Sequence, residues 1–181
     1  MNELSIAHGV DRIEALGSDA VVVGTDGQDL HFTAIRLGES PEVKDRYTRK
    51  EASQGELRSH GFFYKADGQD SGMLGLPIST AGRPGYRHLI DGSASILFLR
   101  NSSLQFHEVG ELAAQPEKAR DDGCRASCVD WYGNARPLFV QGRIFALLGY
   151  EIVEGSFSSG RISELRRVSF APVLLLGNVY S

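Results

Sequence analysis

A short internal repeat is the feature that most constrains the fold of this chain. The tetrapeptide Asp-Gly-Gln-Asp occurs at Asp26–Asp29 and recurs 41 positions later at Asp67–Asp70. An apolar run precedes each copy, Val21–Val23 in one case and Phe62–Tyr64 in the other. Because glycine adopts positive φ at no steric cost, Asp-Gly between two apolar runs predicts a β-hairpin turn. We therefore expect the two tetrapeptides to form equivalent hairpin turns on neighbouring strand units.

Weaker copies of the same pattern extend along the whole chain. Each unit has a further turn glycine, and these are Gly17, Gly61, Gly92 and Gly142, at spacings of 44, 31 and 50 residues. Periods near 40–45 residues with several strands each are typical of propeller blades. The sequence thus predicts an all-β, propeller-like array of about four antiparallel blades. It forms a single domain over residues 1–181, either complete or part of a larger propeller.

Two other fold classes stay open at this point. A β-sandwich or β-barrel also repeats strand, turn and strand at short intervals, and the irregular spacing of the glycines weakens the blade interpretation. An α+β fold would need helices, and the one helical signal is Glu111–Arg120. Pro116 would limit that segment to a turn on either side.

Charge and hydrophobicity exclude two classes of partner. The formal net charge is −4, and the densest basic stretch, Lys44–Lys50, also contains Asp45 and is followed by Glu51. We interpret it as a solvated edge strand or loop, so no nucleic-acid partner is expected. No segment reaches the roughly 18 consecutive apolar residues of a membrane span. The first residues show no signal peptide, which leaves two alternatives open, a cytoplasmic protein or an exported one whose signal is absent from this chain.

Catalytic motifs are absent from the sequence. It contains no nucleophile elbow, no phosphate-binding glycine loop and no dinucleotide fingerprint. Paired carboxylates such as Asp26 and Asp29 lie in turns, where aspartate satisfies local backbone N–H groups. We therefore assign no catalytic residue and expect no cofactor.

The densest group of chemically versatile residues lies between Asp121 and Pro137. Its candidate ligand-binding residues are Asp130, Trp131, Tyr132, Asn134 and Arg136. The Cys124 and Cys128 pair has a three-residue spacing that does not match common zinc motifs, so we expect no metal. A disulfide between them and a pair of free thiols both remain open. If the chain is an enzyme, a hydrolase that uses the Asp121–Arg136 loop is the expectation.

The first strand of a propeller blade lines the central channel. His88 and Arg87 lie just before such a strand in the third unit and could face a channel ligand. A histidine with satisfied hydrogen bonds in a turn or core is the alternative. Asn101 starts an Asn-Ser-Ser glycosylation sequon, which we interpret as a turn.

Three stretches of the second half carry a family resemblance: PGYRHLIDGSASILFLRN, DDGCRASCVDWYGNARPLF and GRIFALLGYEIVEG. Together they resemble bacterial secreted proteins with a C-terminal β-propeller domain distantly related to WD-type repeats. The resemblance covers Pro84 to the end, and the first half shares only the blade-like pattern. It implies a propeller in the periplasm or outside the cell, and it carries no catalytic motif. Such proteins are typically longer, so whether the ring closes stays open.

These observations predict a non-catalytic binding or scaffold domain for an unknown protein or small-molecule ligand, with the hydrolase as the alternative.

The run Val173–Leu176 is apolar on both faces, so we expect it to be buried on both sides. It either pairs near Leu4–Val10 of its own chain or pairs with a neighbouring chain. We expect self-association as a homodimer.

Overall fold

Thirteen β-strands in three antiparallel sheets make up the part of the chain that the computed structural model describes, residues 3–80, 93–115 and 135–170. No α-helix occurs in these residues. The all-β prediction is therefore confirmed, whereas none of the three sheets closes on itself. The helical signal at Glu111–Arg120 was wrong for its described part, because Glu111–Ala113 belongs to a strand.

The N-terminal sheet has four strands in chain order: β1 (Arg12–Leu16), β2 (Asp19–Thr25), β3 (Leu30–Arg36) and β4 (Glu42–Arg49). The C-terminal sheet repeats this simple order: β10 (Ala135–Val140), β11 (Arg143–Leu148), β12 (Glu151–Ser158) and β13 (Arg161–Ser169). Apolar and polar residues alternate poorly in β2, whose residues 20–24 are all buried, because both of its faces are covered.

The central sheet has five strands: β5 (Ala52–Gln54), β6 (Phe63–Ala66), β7 (Ser71–Thr80), β8 (Ser93–Ser102) and β9 (Gln105–Ala113). The short strands β5 and β6 pair with two different parts of the same edge of β7. Between them lies a 3₁₀ turn at Ser59–Gly61. Strands β5 and β6 together occupy the position that a single first strand has in each of the other sheets.

The central sheet is covered on both faces. Alternate residues of β8 point in opposite directions, so Leu97 and Leu99 face the N-terminal sheet while Ile96 and Phe98 face the C-terminal sheet. One core contains Phe32 of β3 together with residues of β7 and β8, and all of its members are at least nine-tenths buried. The three sheets therefore form a stack with two separate hydrophobic cores.

Polar contacts join the edges of the first two sheets. The Tyr47 hydroxyl donates to the Glu108 carboxylate, and Arg49 Nη1 donates to the same carboxylate at 2.9 Å. Burial and the neighbouring Glu108 carboxylate raise the pKa of Tyr47 above its usual range. The basic stretch Lys44–Lys50, predicted to be a solvated edge strand or loop, lies largely in edge strand β4. Inward-facing side chains of this strand contact β9.

The outer face of the N-terminal sheet is covered by the segment that precedes β1. The Gly9 N–H donates to the Thr25 carbonyl at 3.0 Å, and the Asp11 N–H donates to the Val23 carbonyl at 3.0 Å. Thr33, on this face, is fully buried. The segment approaches so closely that a Cβ at Gly24 would lie 1.8 Å from the Gly9 carbonyl oxygen.

Both Asp-Gly-Gln-Asp segments form hairpin turns, but they are not equivalent. Asp26–Asp29 joins the second and third strands of its sheet, whereas Asp67–Asp70 joins β6 to β7, the first and second positions. The turn beside Asp67–Asp70 is instead the β1–β2 turn, where a Cβ at Gly17 would lie 3.8 Å from the Gln69 carbonyl oxygen. The prediction of equivalence was wrong because this tetrapeptide satisfies local backbone groups and does not encode a position in the sheet.

The number of strand units also differs from the expected four. The units that follow Gly61 and Gly92 contribute β6 to β9, and all four strands belong to the central sheet. The described residues thus contain three sheets. The glycine spacing overcounted them because β7 and β8 pair along their whole length, from Ser71↔Ser102 to Thr80↔Ser93.

Candidate functional site

Most of the residues that the sequence singled out lie outside the described residues. These are Arg87, His88, Cys124, Cys128, Asp130, Trp131, Tyr132 and Asn134. Arg136 is described, and it is an exposed residue of β10 on the outer face of the C-terminal sheet. The sequon residue Asn101 is buried; its side-chain Nδ2 donates to the Tyr64 hydroxyl, and its Oδ1 accepts from the Leu104 N–H. It therefore stabilises the β8–β9 turn, as expected.

A groove of about 420 Å³ opens between the central and C-terminal sheets. The central sheet contributes Lys65, Asp67, Met73 and Arg100 to its lining. The C-terminal sheet contributes Phe139, Gly142, Arg143, Ile144, Gly155, Ser156, Phe157 and Leu165. Its volume lies within the range of small-molecule sites. Phe139 and Ile144 of its lining pack against the core that holds Phe98 and Val153.

The wall formed by the central sheet is cationic because of strand register. Lys65 pairs with Met73, Met73 pairs with Arg100, and Arg100 pairs with His107, so these four residues form one cross-strand row. Paired residues of antiparallel strands share a face. Met73 belongs to the core against the C-terminal sheet, which fixes the whole row on the side of the groove.

Only part of this positive charge is neutralised within the chain. Both terminal nitrogens of Arg100 donate to the Asp67 carboxylate, with Nη2 to Oδ1 at 3.0 Å. This ion pair lowers the pKa of Asp67. The Arg143 guanidinium donates to Glu154 at 2.6 and 2.8 Å. Among the described residues Lys65 has no such partner, so its ammonium is the uncompensated cation of the groove.

The opposite wall is apolar and partly aromatic. Phe139 is fixed between two aromatic rings of the central sheet, with centroid distances of 5.6 Å to Phe63 and 6.1 Å to Phe98. Phe157 and Leu165 are 44% and 61% exposed although both line the groove. A ligand in the groove would cover this exposed apolar surface.

A second polar cluster lies on the outer face of the N-terminal sheet. His31 Nδ1 is 3.0 Å from Thr48 Oγ1, and His31 Nε2 is 3.0 Å from Asp26 Oδ2. His8 stacks on His31 with a centroid distance of 5.0 Å and lies 2.7 Å from Thr33 Oγ1. Backbone N–H groups of the turn, together with His31, lower the pKa of Asp26 to about 2. A hydroxyl, an imidazole and a carboxylate in sequence also form the arrangement of a nucleophilic triad.

The described residues give no sign of a metal centre or a membrane span. No three of their histidine, cysteine, aspartate or glutamate side chains converge on one point. None of their secondary structure is a helix that could cross a bilayer.

Comparison with known proteins contributes no assignment. No protein-family model, curated protein or solved structure matches the chain.

The residues that make the groove cationic stand beside turns in the sequence, but no motif connects them. Lys65 stands two residues before the second Asp-Gly-Gln-Asp turn, and Arg100 stands before Asn101 in the next hairpin. Their juxtaposition depends on the pairing of three strands, which the sequence does not state. Phe157 belongs to no motif in the sequence, although it forms part of the apolar wall.

Proposed function

We propose that this protein is a non-catalytic binding domain whose ligand site is the groove between the central and C-terminal sheets. The observation that carries the proposal is the contrast between the two walls, one with an unpaired lysine and the other with exposed Phe157 and Leu165. Pockets that combine an apolar lining with a few placed polar groups are the usual form of small-molecule sites.

The architecture around the groove supports a propeller-like arrangement. Successive sheets, each built from consecutive strands, pack face to face as propeller blades do. This stacking is compatible with the resemblance to secreted propeller proteins, and an exported location rests on that resemblance alone. The proposal is that the three sheets are consecutive blades, with β1, the pair β5 and β6, and β10 nearest the axis. Small-angle scattering that fits a compact sandwich rather than a fan of sheets would contradict it.

A pair of phenylalanine substitutions tests the ligand site. Phe157 lines the groove, whereas Phe170, which is exposed to a similar degree, does not. Phe157→Ser removes the exposed ring from the apolar wall, while Phe170→Ser removes the same side chain away from the groove. The probe is the uncharged dye N-phenyl-1-naphthylamine, followed by fluorescence titration.

We expect the wild type and Phe170→Ser to bind the dye with one-to-one stoichiometry and Phe157→Ser to lose most of this binding. Circular dichroism establishes that both variants are folded. Equal dye binding by all three proteins would show that the groove is not a binding site.

The triad-like cluster supports a second candidate, a hydrolase. It differs from the hydrolase expected at Asp121–Arg136, which lies outside the described residues except for its last two positions. In this candidate Thr48 would be the nucleophile, His31 the base and Asp26 the group that orients it. The competing interpretation is structural, because His31 and Thr48 are directly opposed cross-strand partners.

Hydrolysis of p-nitrophenyl acetate separates these two interpretations. His31→Gln should abolish turnover if the cluster is catalytic. His107→Gln is the matched control, because His107 is an exposed histidine that measures nonspecific imidazole catalysis. Equal rates for both variants would exclude the hydrolase at this cluster.

A further inference from the structure

We propose that the ligand of the groove is a small molecule that carries an anionic group next to a flat apolar body. This inference rests on the proposed function, since it names the class of ligand that the same groove takes. It starts from the difference between the two walls: the unpaired positive charge lies on the central sheet, and exposed aromatic surface lies on the C-terminal sheet.

The anionic part of the ligand is inferred from which cations of the groove lack a carboxylate partner. Arg100 is held by Asp67, and Arg143 is held by Glu154, so neither guanidinium is left without a carboxylate. Lys65 is exposed and has no carboxylate partner among the described residues. An anion beside Lys65 would therefore add the missing negative charge.

The apolar part is assigned by the rigidity and exposure of the opposite wall. Phe139 cannot turn away freely, because Phe98 meets it edge-on at an interplanar angle of 89° and Phe63 packs on it at 32°. Phe157 presents 44% of its surface to solvent in the same groove. Flat apolar groups pack favourably against fixed aromatic rings in offset or edge-to-face geometry.

The volume decides between a small molecule and a macromolecular segment. A space of about 420 Å³ accommodates a compact ligand of one or two rings. A protein partner would require a contact of about 800 Å² on this chain, which extends far beyond the groove.

The experiment compares two probes of similar apolar body and different charge. The anionic probe is 8-anilinonaphthalene-1-sulfonate, and the neutral probe is N-phenyl-1-naphthylamine. Lys65→Met keeps the length of the side chain and removes its charge. Lys50→Met is the matched control, because Lys50 is an exposed lysine in the turn after β4, away from the groove.

At low salt we expect the wild type to bind the sulfonate more tightly than the neutral dye. Lys65→Met should weaken sulfonate binding about two- to five-fold and leave neutral-dye binding unchanged, since one exposed charge pair contributes at most about 1 kcal/mol. Added salt should weaken sulfonate binding to the wild type and have little effect on the Lys65→Met variant. Lys50→Met should behave as the wild type with both dyes.

The outcomes separate this inference from the proposed function. If Phe157→Ser weakens binding of both dyes while Lys65→Met affects neither, the groove is a binding site and the anionic assignment is wrong. If sulfonate binding persists unchanged in Phe157→Ser, the dye is bound elsewhere and both proposals are overturned.

Discussion

Gly24 lies where the chain crosses over itself, and its missing side chain is what permits the crossing. The backbone of residues 9–11 runs against β2 at this point, and the Gly9 carbonyl oxygen occupies the space where a Cβ at Gly24 would lie. A backbone atom cannot move aside as the end of a flexible side chain can. The residue therefore couples the N-terminal segment to the sheet.

We expect Gly24→Ala to lower the free energy of unfolding by about 3 kcal/mol, because the new methyl group overpacks a closed contact. Urea denaturation measures the change. Gly38→Ala is the control, since a Cβ at Gly38 meets no atom within 4 Å. Equal stability of the two variants would mean that residues 9–11 do not lie against β2.

Glu154 concentrates charge on the outer face of the C-terminal sheet. Its carboxylate accepts hydrogen bonds from Arg143 and from Arg166, and these two contacts lower its pKa to about 2. Because the folded-state pKa lies below the ordinary value of 4.5, the stabilisation is complete above about pH 4.5 and is lost as the pH falls towards 2.

Glu154→Gln should therefore melt at a lower temperature than the wild type at pH 7, with a difference that shrinks on acidification to pH 2. Thermal melts across this pH range test the prediction. Glu42→Gln removes a carboxylate from an exposed pair with Lys44 and should change the melting temperature little. A pH-independent difference for Glu154→Gln would contradict the assigned pKa.

At the scale of elements, β8 links the two hydrophobic cores. Leu97 packs into the core shared with the N-terminal sheet, and its neighbour Phe98 packs into the core shared with the C-terminal sheet. Both side chains are fully buried. A strand that contributes to two cores transmits the loss of either one to the other.

We expect Leu97→Ala and Phe98→Ala to destabilise the protein by about 3 and 4 kcal/mol. Both should lower the midpoint of the same single transition in calorimetry. Leu57→Ala, at a 69% exposed position, should be nearly neutral. A melting curve that splits into two transitions in either variant would show that the cores are independent.

Strand content and turn positions could be predicted from the sequence, whereas strand partners could not. Asp-Gly turns and glycine punctuation are local, so they located the hairpins at Asp26–Asp29 and Asp67–Asp70. Whether β6 begins a new sheet or joins β7 and β8 depends on long-range pairing, and the spacing of glycines does not indicate which strands pair. The groove was missed for the same reason: Lys65 and Arg100 meet only through the register of β7.

At the scale of the whole molecule, exposed apolar side chains gather on one sheet. Of the eleven large hydrophobic residues exposed in the described part of the chain, six belong to residues 140–170. Ile152 and Val168 form a cross-strand pair on the outer face of the C-terminal sheet. The outer face of the N-terminal sheet, by contrast, is covered where residues 8–11 contact it. Exposed apolar pairs such as Ile152 and Val168 on an open sheet face favour association.

We expect the full chain to be a dimer in light scattering. The apolar run Val173–Leu176, outside the described residues, is the segment expected to contribute, so a chain ending at Pro172 should change its oligomeric state or its stability. A full-length monomer that remains folded and monomeric after the deletion would contradict both roles of this segment.

The consecutive strand order has a consequence for synthesis on the ribosome. Each sheet takes its described strands from one part of the chain, within residues 12–49, 52–113 and 135–169, and every strand except β5 pairs with a strand next to it in sequence. The N-terminal sheet can therefore form before the rest of the polypeptide exists, with little loop-closure entropy to overcome. Its inner face, which carries Val21, Val23 and Phe32, then remains uncovered until β7 and β8 have left the ribosome. During that interval the nascent chain exposes a hydrophobic surface that a chaperone such as a ribosome-bound holdase would recognise. The sheets would then assemble in the order in which they are translated.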